Sequence, residues 1–434
     1  MRYCLRCLYP ENARPTILFD DHGVCSGCRA QETKKRLDWV DRERRLRDLF
    51  AEYKSKARAR GNVYDCIIPV SGGKDSHYQV YLAKEVYGMN PLLVTYNHVF
   101  NTELGVRNLR NLVMRFNCDL IRVTSRPDAV RKIDRHMLQQ IGDITWHYHT
   151  GIFTYPFQVA VEKGIPLILW GEHGNAEMTG MVNLEDTPEF TKWYRQEYVM
   201  RGYKVDQLVN DPASGVSEED VAPFRFPSAE RMEEIGVRGI YMGTYIEWDH
   251  LEIAKKMVEM CNFKMAEGPR ERTFSQFHKI DDHANDVHDY LKYLKFGYGR
   301  GTDHATEEIR AGRMTRELGI EMAMKYDHVR PASLDFYLKY LGISEQDLLS
   351  WIEPLSDSDV WTLNGAGERV RKDVVANHIA DPGVDSMRLP LLPEEQQTFG
   401  SENCHYYYSS AWTRSDRFVD RHLREAGVGD FLVL

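Results

Sequence analysis

Residues 70–77 read Val-Ser-Gly-Gly-Lys-Asp-Ser-His, directly after the apolar run Asp-Cys-Ile-Ile-Pro-Val (65–70) and just before a helix-like stretch over 77–87. A strand, a glycine turn and a helix start make a nest of backbone N–H groups at the positive end of a helix, which suits a polyphosphate. Gly72 and Gly73 let the main chain approach a ligand closely, Ser71 and Ser76 offer hydroxyls, and Lys74 adds a point charge. Asp75 would repel phosphate unless a metal ion lay between them, so its presence argues for Mg²⁺. The spacing is not that of a Walker A loop, G-x-x-x-x-G-K-[ST]. The plain alternative is a serine- and glycine-rich turn with no ligand.

Outward from this turn, apolar runs alternate with helical stretches. Strand-like segments fall near 65–70, 92–97, 119–124, 165–170 and 238–244, and helix-like segments near 76–87, 103–116, 128–140 and 151–163. That alternation predicts an α/β fold with a doubly wound, Rossmann-like parallel sheet and a ligand crevice at the carboxyl ends of its strands. Pro69 would weaken a central strand and belongs at its exit. The domain so defined spans 63–246. It is interrupted over 178–235 by a polar stretch with Trp193, Tyr194, Arg195 and several prolines, which reads as an insertion or lid. Residues 247–354 are mostly helical, a region for substrate or partner. Residues 355–434 form a C-terminal extension with an aromatic cluster at Tyr406–Tyr408 and little periodicity.

Upstream, Cys4-x-x-Cys7 and Cys25-x-x-Cys28 lie 17 residues apart within a segment, 1–30, too short to be held by core burial. Two such pairs match a tetrahedral structural zinc knob, whose metal would supply the folding energy. Four cysteines leave no open coordination position. Residues 31–62 form a linker, rich in Arg and Lys, with Leu46, Leu49, Phe50 and Tyr53 at the spacing of an amphipathic helix.

A net charge of −9 and a pI near 6.0 argue against bulk nucleic-acid binding. No apolar run approaches a membrane span, and the first residues lack the apolar core of a signal peptide. A cytoplasmic protein is expected, in which eight cysteines point to metal ligation rather than disulfides.

Three constellations carry candidate chemistry. The second strand ends in Thr95-Tyr96-Asn97-His98, where adenine or ribose would lie if this is more than an ordinary strand end. The fourth ends in Trp170-Gly171-Glu172-His173-Gly174, followed by Glu177. Gly171 permits close approach of a ligand, the two carboxylates can share Mg²⁺ with Asp75, and Glu177 or His173 can move a proton. Downstream, Lys295-Phe-Gly-Tyr-Gly-Arg300-Gly-Thr-Asp303-His304 leads to Glu307, Glu308, Arg310, Arg313 and Arg316. Thr302 would cap the helix that follows, with Arg310 and Arg313 on one of its faces. Clustered guanidiniums suit a carboxylate or phosphate, so Arg300, Asp303, His304, Arg310, Arg313 and Arg316 are the candidate substrate residues. The alternative is a set of surface ion pairs with Glu307 and Glu308. Asp281, Asp282 and His283 stand where they would cap another helix.

The turn at 71–76 resembles the SGGxDS pyrophosphate loop (PP-loop) of the adenine-nucleotide α-hydrolase superfamily, which splits ATP into AMP and pyrophosphate. The cysteine pairs, PVSGGKDSHYQ, GIFTYPFQVAV…IPLILWGEHGNAEM and VHDYLKYLKFGYGRGTDHATEEIRAGRMTRELGIE together resemble the N-acetyl sugar amidotransferases (WbpG- and PseA-type) of bacterial O-antigen and pseudaminic or legionaminic acid pathways. The resemblance spans most of residues 1–350. It implies conversion of a sugar acetamido group to an acetamidino group, with ATP activating the amide oxygen. Ser71, Gly72, Gly73, Lys74, Asp75 and Ser76 would then hold ATP and pyrophosphate, with Tyr96, Asn97 and Gly171 nearby, and Lys74, Asp75, Glu177 and His173 would be catalytic. It also implies partners: a glutaminase like that of histidine biosynthesis (HisH-like) and a cyclase-like barrel (HisF-like) that conducts ammonia. The chain itself has no cysteine in a G-x-C-x-G elbow and no cysteine next to Met1, so the ammonia would come from another polypeptide. The alternatives are a tRNA thiolation enzyme, which shares such a loop but commonly carries a reactive cysteine pair, and a non-catalytic nucleotide-binding subunit. Cys66, Cys118, Cys261 and Cys404 form no such pair, and Cys66 and Cys118 read as core packing.

Overall fold

Each apolar run becomes a short parallel strand: β1 (Cys66–Pro69), β2 (Pro91–Tyr96), β3 (Leu120–Val123), β4 (Leu167–Trp170) and β5 (Arg238–Tyr241). Their order in the sheet is β3-β2-β1-β4-β5, every pairing parallel. This computed structural model describes residues 1–381 apart from 21, 192, 193 and 196–198; Trp193, Cys404 and the Tyr406–Tyr408 cluster lie outside the described residues.

Side chains along a strand alternate between faces, and here both faces are apolar, as a sheet covered on two sides requires. Cys66, Ile68, Val70, Leu93, Leu167, Leu169 and Ile240 point to one side. They meet α2 (Trp39–Arg60) through Leu46, Leu49, Phe50 and Tyr53, α3 (Lys74–Tyr81) through Tyr78 and Val80, and the helix His250–Cys261 through Ile253 and Met257. Ile67, Leu92, Val94 and Ile168 point the other way, onto Phe157, Val159 and Ala160 of α6 (Trp146–Lys163). Each Val, Leu, Ile, Met or Phe side chain among these contributes roughly 1.5–3 kcal/mol when taken fully out of water. Pro69, which has no N–H, is the last residue of β1, and the ladder continues from the Val70 amide to the Val94 carbonyl at 2.9 Å.

The chain leaves β1 and β4 toward opposite wings of the sheet, so a crevice opens between their carboxyl ends. The glycine turn and the Gly171–Glu177 segment stand on its two lips. Between β2 and β3 lies α4 (Glu103–Phe116), and between β3 and β4 lie α5 (Pro127–Ile141) and α6. Two starts differ from the sequence reading. Helix α3 begins at Lys74, because Gly73 serves as its N-cap, and α6 begins at Trp146.

Among the described residues of 178–235, the stretch read from the sequence as an insertion or lid, only Met178 lines the cavity at the crevice. Phe190 pairs with the outer edge of β5, its amide donating to the Gly239 carbonyl at 2.9 Å, and Tyr203, Val205, Leu208, Val221 and Phe224 bury against α5 and α6. Beyond β5 the described chain is mostly helical, apart from a loop over 262–283, up to a small antiparallel pair, Trp361–Leu363 with Arg369–Arg371. Among the described residues, no helix is long and apolar enough to cross a membrane.

Candidate functional site

The loop at the end of β1 is built so that only glycine fits its second position. Gly72 has φ +89°, and a Cβ there would stand 2.6 Å from the Leu109 amide nitrogen in α4. The Ser71 amide donates to Ser76 Oγ (3.0 Å) and the Gly73 amide to Ser71 Oγ (3.2 Å), so both hydroxyls brace the loop. Lys74 is buried, and its Nζ lies 2.7 Å from Asp75 Oδ2 and 3.0 Å from His250 Nδ1. Asp75 also accepts from Trp248 Nε1 at 3.0 Å. Burial opposes ionisation of Asp75, but the Lys74 ammonium and His250 overcome it and hold the carboxyl far below its usual range.

The opposite lip carries Glu172 and Glu177. Glu172 Oε2 is 2.8 Å from His250 Nε2. Burial favours the uncharged form of each partner, yet their attraction lowers the glutamate and raises the histidine. Glu177, in α7 (Gly174–Thr179), accepts from Lys34 Nζ at 2.7 Å, and burial still keeps its carboxyl above the ordinary value.

These groups line one cavity of about 450 Å³. Ser71, Gly73, Lys74 and Asp75 form one wall and Glu172, Gly174 and Glu177 another. Arg300, Asp303, His304, Arg310 and Arg313 close it from the helical region. Three stretches far apart in the chain therefore converge on one space. Gly72, Ser76, Tyr96, Asn97, Gly171, His173 and Arg316 do not line it. Tyr96 is buried with its hydroxyl on Ser125 Oγ (2.9 Å), and Asn97 donates to Thr124 Oγ1 (3.0 Å). The tight space at Gly171 is filled by Gln79 and Trp248. His173 is the N-cap of α7; its Nδ1 accepts from the Ala176 amide (3.2 Å), and burial drops its pKa to about 4.

The glycine-arginine block has a different internal logic from the one its sequence suggests. The helix begins at Arg300, and its acceptor cap comes from Asp327, which takes the Thr302 amide (3.0 Å) and hydroxyl (2.6 Å). Thr302 is therefore a donor inside the first turn, not the cap. Gly299 and Gly301 are small because a Cβ on either would come within 3.0 Å of Asp327 Oδ1. Arg300 grips Asp289 with two parallel bonds (2.9 and 2.5 Å) and Asp303 at 2.8 Å. Asp303 also accepts from Lys292 and from the Tyr9 hydroxyl at 2.8 Å. Burial disfavours that carboxylate, but Lys292 and Arg300 hold its pKa down to about 2. His304 Nδ1 meets Thr273 Oγ1 at 2.5 Å.

Arg310 and Arg313 do not share a helical face, because the helix ends at Arg310; Arg316 opens the next helix. Arg310 turns to the cysteine knob, 3.2 Å from Cys25 Sγ and 2.7 Å from the Met178 carbonyl. Arg313 pairs with Glu308 and Asp249 at the cavity mouth. Arg316 donates to the Cys7 carbonyl at 3.0 Å.

Cys4, Cys7, Cys25 and Cys28 are buried together, with Sγ–Sγ distances of 3.9 Å (Cys4–Cys28) and 3.6 Å (Cys7–Cys25). A tetrahedron of thiolates around zinc at about 2.3 Å sets its sulfurs about 3.8 Å apart, so the group can hold zinc. The Cys7 and Cys25 amides point at Cys4 Sγ (3.4 and 3.3 Å), as in a thiolate knuckle. The knob is also part of the cavity wall. Its helix α1 (Ser26–Lys34) packs on α7, where a Cβ at Gly180 would meet the Ser26 carbonyl oxygen at 2.1 Å. Lys34 and Tyr9 both reach the cavity.

Sequence reasoning passed over Lys34, Tyr9, Trp248, His250 and His278. For Trp248 and His250 a signal existed, since they follow the carboxyl end of the fifth strand, where crevice residues are expected. His278 sits in the aperiodic loop between two helices and announces nothing.

Comparison with known proteins bears on this same block. Residues 271–372 match the family model described as LPS biosynthesis protein WbpG-like, C-terminal domain. A stretch of 118 residues, 27% of the chain, is 24% identical to the uncharacterized protein MJ1599 of Methanocaldococcus jannaschii, of whose length it covers 41%. The chain thus spans less than half of that relative. The family match, which takes in every residue from His278 to Arg316 discussed above, points to lipopolysaccharide biosynthesis.

Proposed function

We propose that this protein is an ATP-dependent N-acetyl sugar amidotransferase of the PP-loop type. It would convert an acetamido group to an acetamidino group during O-antigen assembly, with ammonia from a separate glutaminase. One observation carries the reading: the glycine loop at the start of α3 and the block matched to the WbpG-like domain line one cavity, with two carboxylates between them.

An amide oxygen is a weak nucleophile, and an amide carbon does not release its oxygen to ammonia unaided. In the proposed sequence the amide oxygen bonds to the α-phosphorus of ATP and the bond to pyrophosphate breaks, leaving an O-adenylyl imidate. Ammonia then adds to the carbon, a proton is removed, and the bond to AMP breaks. The loop amides at the α3 N-terminus and Lys74 would receive the departing pyrophosphate, Lys74 exchanging Asp75 and His250 for phosphate oxygens. Asp75, ionised and facing the cavity, is the residue suited to hold Mg²⁺, which when bound offsets phosphate charge. Glu177 lines the cavity and would accept the proton released as ammonia adds; His173, spent as a helix cap, is set aside. The three described thiols outside the knob, Cys66, Cys118 and Cys261, do not line the cavity, which disfavours sulfur transfer.

Incubation with ATP, Mg²⁺, ammonium and a panel of diacetamido sugars tests the reading. A sugar product one mass unit lighter, with AMP and pyrophosphate in equal amount, is expected. Asp75→Asn should abolish it while the cysteine site keeps its zinc. Accumulation of orthophosphate instead of pyrophosphate, or full turnover by Asp75→Asn, would overturn the proposal.

A further inference from the structure

Beside the glycine loop, in the lining of the same cavity, is a second group of ligand-bearing side chains. His250 opens the helix His250–Cys261, His278 comes from the loop before the helix Ala284–Phe296, and Glu307 from the helix Arg300–Arg310. One ligand atom from each lies within 4.8 Å of the other two.

The hydrogen bonding of this trio is incomplete where the three meet. His278 Nδ1 is 2.8 Å from Ser275 Oγ, which fixes the ring, and the ring stacks on His304 with centroids 4.3 Å apart. Its Nε2 is buried and makes no hydrogen bond. Glu307 Oε2 stands 3.6 Å from that nitrogen, too far for a bond, and Glu307 Oε1 is likewise buried without a partner. A buried polar atom left unpaired costs about 1–3 kcal/mol, and an imidazole nitrogen and a carboxylate held face to face without a bond between them leave a place where a cation would satisfy both. His250 is braced by Glu172 on Nε2 at 2.8 Å, the arrangement that orients imidazoles behind a metal. Its Nδ1 already faces a cation, the Lys74 ammonium at 3.0 Å, which an incoming ion would displace.

We infer that His250, His278 and Glu307 form a binding site for a divalent first-row transition metal ion, separate from the cysteine site and independent of the nucleotide reading. Two imidazoles and one carboxylate suit Zn²⁺, Co²⁺ or Fe²⁺, whereas Mg²⁺ takes oxygen ligands. The four-cysteine site is closed, but three protein ligands leave coordination positions open, here toward the cavity where an oxygen of a bound substrate fits.

The test uses the full chain with zinc already in the cysteine site and no nucleotide present. Co²⁺ is titrated and followed by its visible d–d bands, with metal content measured afterwards. One further equivalent per chain should bind, without the sulfur-to-metal charge transfer of a thiolate site. Glu307→Gln, nearly isosteric, and His278→Ala should each weaken it by about tenfold or more, while Gly61→Ala, away from the cavity, keeps it. Retained zinc in each variant shows that the fold survives. Absence of a second equivalent in the unaltered protein, full affinity in zinc-retaining Glu307→Gln, or loss in Gly61→Ala alone would each overturn the inference. AMP formation is not part of the readout, so this failure is distinct from failure of the amidotransferase proposal.

Discussion

Lys34 and Glu177 meet at 2.7 Å on the cavity wall although 143 positions separate them in the chain. The same ammonium donates to the Trp248 carbonyl at 2.7 Å. One cation thus ties the cysteine knob to the segments that follow β4 and β5, and the knob becomes a structural wall of the cavity rather than an appendage.

Replacing Lys34 with Met should therefore cost more than a surface pair would. Both side chains are nearly shielded from water, 9% and 13% exposed, and the substitution strands a buried carboxylate. A loss of about 3 kcal/mol in urea unfolding is expected. The double variant Lys34→Met/Glu177→Gln should recover part of it, and an unchanged midpoint in the single variant would count against the coupling.

Arg310 should control metal retention at the knob. Four thiolates around a dication leave a net negative charge in a buried place, and the guanidinium lies 3.2 Å from Cys25 Sγ. Arg310→Met should weaken zinc binding by about tenfold or more, as seen in competition with a chelating dye. Arg310→Lys should not restore it, because one ammonium cannot span Cys25 Sγ and the Met178 carbonyl together.

Two glycines with similar backbone angles should respond differently to alanine. At Gly61, φ +69° with open space around the new Cβ, the cost is conformational, about 1 kcal/mol. At Gly72 the Cβ would also meet the α4 backbone at 2.6 Å, so the loop must move. Gly72→Ala should unfold at lower denaturant than Gly61→Ala and, under the proposed reaction, lose the ATP-dependent AMP formation that Gly61→Ala keeps.

Asp282 sets a pH dependence away from either metal position. Burial, reinforced by Asp281 and Asp134, raises its pKa to about 8, and its Oδ2 has no hydrogen-bond partner. An unfolded aspartate loses its proton near pH 4, so between about pH 4 and 8 the folded chain holds a proton that the unfolded chain has released. Stability from this group is full below pH 4 and is lost as pH rises through 8. Asp282→Asn should match the parent near pH 4 and exceed it by a growing margin up to pH 8, measured by urea unfolding across that range. A constant offset would rule the titration out.

Much of the fold was legible because its signals are local. Ile67, Ile68, Leu92 to Val94 and Leu167 to Leu169 form short apolar runs, and such runs separated by helical periods have few ways to bury themselves other than a covered parallel sheet. The cysteine spacing was equally plain, since a thiolate knuckle is closed within four residues. The arginines were not. Arg310 and Arg313 read as one helical face by their spacing, with Arg316 past Gly312, yet the helix ends at Arg310 and the three meet different partners.

The sequence alone determined the strands, the glycine turn that starts α3, and the four-cysteine group, each a matter of backbone preference or of ligands close together in the chain. The tertiary structure decided which side chains share a space. Lys34 reached Glu177, Asp327 capped a helix beginning 27 residues earlier, and His278 came to face Glu307. Those meetings depend on how helices dock on the sheet, and docking follows from the burial of many apolar groups at once, which no single segment records.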